Sequence, residues 1–361
     1  MTEQQKRINK IRDVLSNDNE ALIVTSNSNV YYYTGFNNSE GTVVITKKQS
    51  YLLVDFRYIE TAKRIVNSCE VVMFNSLYDV LAEVLKDNNI TFVYTETKDL
   101  TFYSYNRLKN SLNKSEIKIS SSNVLDSAIE NQRMVKSKEE LDLIEKAQDI
   151  TEISYREILP LIKPGVKEID IKNELEYRIK KNGGEGVSFD LITITGKKTS
   201  LPHGVAGDEV IKKGDFFTLD IGSLYKGYHS DMTRTVAVGK VSDKQKEIYN
   251  IVLNAQISAL EMVKSGVSCS DIDKTARDII SKAGYGECFG HSTGHGVGLN
   301  IHEKPNVSPK GDIILSKGMV ITIEPGIYLE NQFGVRIEDM VAVTDKGYYN
   351  FAKLDKELLV L

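Results

Sequence analysis

Four carboxylates and one glycine-rich histidine loop are the features of this 361-residue chain whose residue types and spacing could do chemistry. Asp220 lies in the run Phe216-Phe-Thr-Leu-Asp-Ile221, Glu324 in Val320-Ile-Thr-Ile-Glu324, Asp231 in Ser230-Asp-Met-Thr-Arg234 and Glu338 in Val335-Arg-Ile-Glu338. These stretches read as β-strands, in which successive side chains alternate faces. Phe217, Leu219 and Ile221 should therefore share one face, and Thr218 and Asp220 the other. Asp231 follows eleven residues later, a spacing that lets a hairpin return it beside Asp220. A carboxylate inside an apolar strand is costly unless it is compensated. No lysine or arginine cluster matches all four, although Arg234 and Arg336 lie nearby. Two divalent cations would supply the compensation.

An imidazole is at hand. The segment His291-Ser-Thr-Gly-His295-Gly-Val-Gly-Leu-Asn-Ile-His302 packs three of the five histidines into twelve residues, and its glycines let backbone approach a site closely. Oxygen-rich coordination with nitrogen suits manganese, cobalt, iron or zinc better than magnesium. His203, in Leu201-Pro-His-Gly204, reads equally well as loop structure and as a substrate contact. His229 shares the face of Asp231, but a structural reading is the stronger one.

The elements that would position these groups come in two copies. Lys163, Gly165, Val166, Asp170 and Ile171 recur as Lys264, Gly266, Val267, Asp271 and Ile272, and Ile179 and Gly183 recur as Ile280 and Gly284, all at an offset of 101. Lys213-Gly-Asp-Phe-Phe-Thr-Leu-Asp-Ile-Gly222 matches Lys317-Gly-Met-Val-Ile-Thr-Ile-Glu-Pro-Gly326 at an offset of 104. Each copy reads as two helices followed by a β-hairpin, whose return strands are expected at 229–238 and 335–343. Upstream, the spacing predicts a helix over 3–15, strands at 21–25, 41–46, 50–55 and 71–74, and helices from Arg57 and near 78–87. The polar, serine-rich stretch 111–123 is the expected boundary between domains at 1–123 and 124–361. A long helix from Lys138 to Leu161 should follow, opened by a capping box of Ser137 and Glu140.

Composition limits the classes of function. With 41% apolar and 27% charged residues, and only 6 prolines, the chain suits two ordinary globular domains. A net charge of -4 argues against a nucleic-acid partner. No apolar run is long enough to span a membrane, residues 1–20 lack a signal-like apolar stretch, and three scattered cysteines suit a reducing cytoplasm.

The strings Leu219-Asp-Ile-Gly-Ser223 and Tyr228-His-Ser-Asp-Met-Thr-Arg-Thr235, the histidine loop, Ile323-Glu-Pro-Gly326 and Val335-Arg-Ile-Glu338 together resemble the proline-specific metallopeptidases of the pita-bread fold, the Xaa-Pro aminopeptidases and Xaa-Pro dipeptidases. Asn29-Val-Tyr-Tyr-Tyr-Thr-Gly-Phe36 and Asp55-Phe-Arg-Tyr58 are similar to the creatinase/prolidase-type domain that precedes the catalytic one. The resemblance implies an α+β chain: a small α/β domain, then a catalytic domain of pseudo-two-fold helix pairs and β-hairpins. It implies Asp220, Asp231, His295, Glu324 and Glu338 as ligands of two divalent ions, manganese first, with cobalt, zinc and iron as alternatives. Asp231 and Glu338 would bridge the ions. Glu324 would also accept a proton from the attacking water, His291 and His302 would contact substrate or move protons, and His203 and Arg336 would line the substrate site. At His229 a smaller residue is expected, so the surroundings of the metal site could differ there. The expected substrates are small peptides with proline second, and the expected assembly is a homodimer. Between the two proline-specific activities the expectation is aminopeptidase, with dipeptidase as the alternative. Methionine aminopeptidase fits less well, because an N-terminal domain is present. A metal-free creatinase would leave the ligand set unexplained, and a non-catalytic binding protein would be expected to lose ligands.

Overall fold

Thr2, Ser137 and Ser242 each start a helix with the same reciprocal chemistry. The hydroxyl accepts the backbone N–H three residues on, and the Gln5, Glu140 or Gln245 side chain there accepts the cap's own N–H. The computed structural model describes residues 1–37 and 40–361, which form two units, Met1–Arg133 and Met134–Leu361.

The first unit runs α1 (Glu3–Ile11), β1 (Glu20–Val24), α2 (Asn27–Thr34), β2 (Thr42–Thr46), β3 (Ser50–Asp55), α3 (Ile59–Ile65), β4 (Glu70–Phe74), α4 (Leu77–Asp87), β5 (Phe92–Thr95), α5 (Phe102–Asn113), β6 (Lys118–Ile119) and α6 (Val124–Met134). Its sheet has the order β4-β3-β2-β1-β5-β6, with β2 antiparallel to both neighbours and the other pairs parallel. The strands expected before residue 75 fall on β1 to β4. Helix α2 was hidden by its composition: Tyr31, Tyr32 and Tyr33 are mediocre helix formers, and burial of Val30, Tyr32 and Tyr33 outweighs that preference. The serine-rich stretch does not end this unit. Gln132 in α6 accepts a hydrogen bond from the Tyr33 hydroxyl and donates to the Arg7 carbonyl, and Arg133 donates to Asn29. These contacts hold α6 in the first unit, so the division falls at Arg133/Met134 and not at 123/124.

The second unit contains α7 (Lys138–Ile158), α8 (Glu168–Lys181), β7 (Gly186–Val187), β8 (Ile192–Thr195), β9 (Phe216–Ile221), β10 (Ser223–Tyr225), β11 (Tyr228–His229) and β12 (Met232–Ala237). It continues with α9 (Asp243–Glu261), α10 (Cys269–Lys282), β13 (Gly294–Gly296), β14 (Glu303–Val307), β15 (Val320–Ile323), β16 (Gly326–Leu329), β17 (Phe333–Arg336), β18 (Asp339–Val343) and β19 (Tyr348–Asn350). The internal repeat is a repeat of backbone. Helices α8 and α10 have 14 residues each. The paired glycines 165/266, 183/284 and 214/318 adopt φ of +95/+91, +102/+90 and +90/+88 degrees. The hairpins close differently, with Lys226 and Gly227 at positive φ in a two-residue turn and Asn331 alone in the other.

Each hairpin covers its own helices with one face. Phe217, Leu219 and Ile221 pack with Ile150 and Ile158 of α7 and Leu175 and Ile179 of α8. Ile321 and Ile323 pack with Val252 of α9 and Ile272, Ala276 and Ile280 of α10. The alternate residues, Asp220 in one strand and Thr322 and Glu324 in the other, face the seam between the halves. The return strands expected to be continuous are interrupted, between β11 and β12 at Asp231 and between β17 and β18 at Glu338. Among the described residues no helix is long and apolar enough to cross a membrane.

The glycine pairs separate two costs. Gly183 and Gly284 have open space where a Cβ would go, so alanine there costs only backbone strain, about 1–3 kcal/mol. A Cβ on Gly334 would lie 2.2 Å from the Thr199 carbonyl oxygen, and backbone cannot turn away. In urea unfolding, Gly334→Ala is expected to lose more stability than Gly183→Ala or Gly284→Ala.

Candidate metal centre

Thr233, not Asp231, lies directly across from Asp220 in the β9–β12 ladder. Asp231 sits two residues earlier on the same face, while Glu324 and Glu338 lie one residue beyond the ladder's last opposed pair, Ile323 and Asp339. The two return-strand carboxylates are therefore not equivalent by register, although the seam brings them together. Asp231, His295 and Glu338 offer ligand atoms within 4.8 Å of one another. All nine residues singled out as site candidates, Asp220, Asp231, Glu324, Glu338, His203, His291, His295, His302 and Arg336, line one cavity of about 360 Å³. His229 does not line it. It sits in β11 with its N–H donated to the Gly298 carbonyl.

Arg336 is the guanidinium of the cavity, and its donors are used within the protein. It bonds Asp220 at 2.6 Å, the Thr233 hydroxyl at 3.1 Å, the Tyr328 hydroxyl at 2.9 Å and the Pro202 carbonyl at 3.2 Å. Asp220 is thus compensated. Asp231, Glu324 and Glu338 have no lysine or arginine partner among the described residues. Burial first, and then the neighbouring carboxylates Glu338, Asp220 and Glu324, push the Asp231 carboxyl well above its ordinary value. Glu338 is raised in the same way, by burial and then by Glu324 and Asp220, and burial brings Glu324 up to about 8.

His295 and His291 are neutral and oriented. The His295 Nδ1–H can only donate to the Gly296 carbonyl, 3.0 Å away, which leaves Nε2 unprotonated. That lone pair faces Asp231 Oδ2 at 3.5 Å and Glu324 Oε1 at 3.4 Å. Burial and then the nearby His302 lower the His295 pKa to about 4, so its Nε2 carries no proton of its own at neutral pH. A nitrogen lone pair aimed at carboxylate oxygens is the arrangement a cation satisfies. His291 donates from Nδ1 to the Ser292 carbonyl and accepts the Tyr328 hydroxyl at Nε2, 2.9 Å away. Burial lowers its pKa to about 4 as well. His302 stands edge-to-face with His295, with ring centres 4.4 Å apart. His203 and His302 are exposed at the cavity wall.

Three residues of this site escaped the sequence reading. Thr233 donates to Glu338 at 2.7 Å and accepts from Arg336, and it shares the face of Asp231, so strand parity pointed to it. Thr322 accepts the His295 N–H and donates to Glu324. Tyr328 links His291 to Arg336, on the same parity as Glu324. A Cβ on Gly326 would meet the Tyr328 hydroxyl at 2.6 Å, so the glycine makes room for the tyrosine.

Fold and site define a hydrolytic metallopeptidase. Residues 142–345 match metallopeptidase family M24 and residues 7–135 match the Creatinase/Prolidase N-terminal domain. The chain belongs to family M24 and has its pita-bread catalytic domain behind a creatinase-like one. It is 39% identical over 361 residues to the Xaa-Pro dipeptidase of Pyrococcus furiosus, covering 99% of this chain and 100% of that protein. Among solved structures it is similar to the Xaa-Pro dipeptidase from Bacillus anthracis, with a TM-score of 0.95 and 39% identity over 99% of this chain and 100% of that one. The X-Pro aminopeptidase from Thermotoga maritima superposes with a TM-score of 0.89 at 35% identity, over 95% of this chain and 97% of that one.

The raised carboxyls carry a pH signature. A carboxyl whose folded pKa exceeds its unfolded value binds more protons when folded, so stability is lost as pH rises toward the folded pKa. His291 and His295, lowered from 6.5 to about 4, no longer change charge above that pH. Between pH 6.5 and about 8, the raised value of Glu324, the chelator-treated protein should therefore lose thermal stability with rising pH. Added manganese should raise the Tm and flatten that slope; a Tm independent of pH and metal would contradict the account.

Proposed function

We propose that this protein is an Xaa-Pro dipeptidase that uses two divalent ions, manganese first, held by Asp220, Asp231, His295, Glu324 and Glu338. Full-length similarity to relatives named Xaa-Pro dipeptidase carries this reading over the aminopeptidase expected from sequence. The donor set, four carboxylates and one unprotonated imidazole nitrogen, fits manganese, cobalt, zinc or iron. Ions bound there would lower the pKa of water and polarise the peptide carbonyl.

The rest of the chemistry belongs to the chain's own residues. Glu324 takes the proton of the attacking water at its carboxylate. His302, on the exposed wall beside His295, contacts the substrate and offers a proton site. His291 stays neutral and holds the Tyr328 hydroxyl, which in turn accepts from Arg336. Arg336 acts by fixing Asp220 and the backbone of Pro202, which precedes His203. A bond to proline is a tertiary amide with no N–H, on a ring with fixed φ. Phe189, Ile192, Pro202 and Ile301 give the cavity an apolar wall that can take that ring. A volume of about 360 Å³ suits a ligand the size of a dipeptide. The second reading, X-Pro aminopeptidase, rests on the Thermotoga maritima structure.

Comparing kcat/KM for Ala-Pro, Ala-Pro-Ala and Met-Ala-Ala with manganese separates the readings. A dipeptidase cleaves the first alone, an aminopeptidase both proline peptides, and a methionine aminopeptidase the third. Asp231→Ala should lose bound metal and activity together. His302→Ala should keep its metal and lose about 10²-fold in kcat; full activity in either variant would overturn the corresponding role.

A further inference from the structure

The segment 196–207, which carries His203, leaves the end of β8 with almost no regular structure: one short 3₁₀ turn over Gly196–Ser200. Its ends meet on a single carboxylate. Glu168, the first residue of α8, is fully buried. It accepts the Thr195 N–H at 2.7 Å, the Gly207 N–H at 3.0 Å and the Lys198 ammonium at 2.8 Å. Lys198 also pairs with Glu209 at the rim, at 2.7 Å. Between these anchors the loop is tied twice to β17. The Thr199 hydroxyl accepts the Gly334 N–H at 2.9 Å, and the Pro202 carbonyl accepts from Arg336 at 3.2 Å.

A buried carboxylate is retained against its desolvation cost only where its bonds compensate it. Here every bond goes to the loop, to the loop's own lysine or to Thr195, the strand residue from which the loop departs. The repeat provides an internal comparison. The position equivalent to Glu168 in the second half is Cys269, also fully buried at the start of its helix. The helix start itself therefore needs no carboxylate. Both helix starts hold a cavity-lining segment by backbone bonds, Glu168 and Ile169 to the Glu209 and Gly207 carbonyls and Cys269 and Ser270 to those of Ile313 and Gly311; what differs is that the first adds a side-chain carboxylate to that hold.

We propose that Glu168, through Lys198, is a positioning residue that clamps the 196–207 loop so that His203 faces the substrate. The proposal rests on the reading of His203 as a substrate contact. Glu168 touches neither substrate nor metal site, and its effect should pass through His203. Misplacing a positioning group by about 1 Å can cost up to about a hundredfold; the expected loss for Glu168→Gln is about tenfold in kcat/KM for Ala-Pro, carried by KM, with manganese content unchanged. Lys198→Met should reproduce that loss and Lys198→Arg should retain activity, which keeps the test available if Glu168→Gln does not fold.

The deciding measurement is a double-mutant cycle with His203→Ala. In the His203→Ala background, Glu168→Gln or Lys198→Met should cause no further loss in kcat/KM. The same fold-loss in both backgrounds, or a loss that follows the manganese content, would overturn the clamp while leaving the reading of His203 intact. Wild-type kinetics in His203→Ala alone would instead overturn the reading of His203, and the clamp with it.

Discussion

Mutual repulsion among buried carboxylates is the constraint the rest of the catalytic unit answers to. Asp231, Glu324 and Glu338 converge from two hairpins on one cavity, where Arg336 already belongs to Asp220. Without a cation, burial and that repulsion are relieved by protonation, which is why their pKa values are raised. Ties across the seam consume donors without neutralising the cluster. Thr233 in one half bonds Glu338 in the other, and the Thr235 hydroxyl bonds the Arg336 carbonyl. Arg234, 2% exposed, gives its donors to the Thr233 and Glu338 carbonyls, the Asp339 carboxylate and the carbonyls of Leu354 and Asp355. That guanidinium holds both return strands to the C-terminal segment. The remaining charge is the part that divalent ions are suited to take up.

Seen this way, two arginines that look alike in sequence do different work. Arg336 lies on the inner side, where it fixes a carboxylate and the backbone beside His203. Arg234 lies behind the strands, with Asp339 as its ion-pair partner at 2.8 Å. Asp339 also receives Lys356 at 2.8 Å, and its pKa stays below the ordinary value despite burial because Arg234 and Lys356 face it. The adjacent Glu338 has no such cation and is raised. Adjacent acids at the break between β17 and β18 thus diverge because their side chains meet different surroundings.

The repeat, the four carboxylates and the histidine loop were legible because each rests on short-range rules: glycine at turns, two-residue alternation in strands, and clustering of rare residue types. What sequence did not carry was register. A hairpin spacing of eleven residues allows Asp231 to face Asp220, but the two-residue turn at Lys226–Gly227 sets the ladder so that Thr233 does. Tyr328 and Thr322 were missed for a related reason, since each matters only through a partner from a distant segment. The edge of the first unit was misplaced because polar composition marked an exposed stretch, whereas Gln132 and Arg133 tie the following helix back by side-chain bonds.

Duplication explains how such a site can be both symmetric in backbone and asymmetric in chemistry. Matching glycines hold φ near +90 degrees in both halves, because a bulkier residue at those turns would strain each copy equally. Side chains facing the seam are under no such shared demand. Asp220 is matched by Glu324, yet by register the residue opposite Asp220 is a threonine, while Glu338 immediately precedes Asp339, the residue opposite Ile323. Glu168 is matched by Cys269, a carboxylate in one copy and an apolar thiol in the other. The backbone turns had to stay equal for the halves to pack on their helices. The seam had to become unequal, since a cavity lined identically from both sides could not keep a peptide in one orientation.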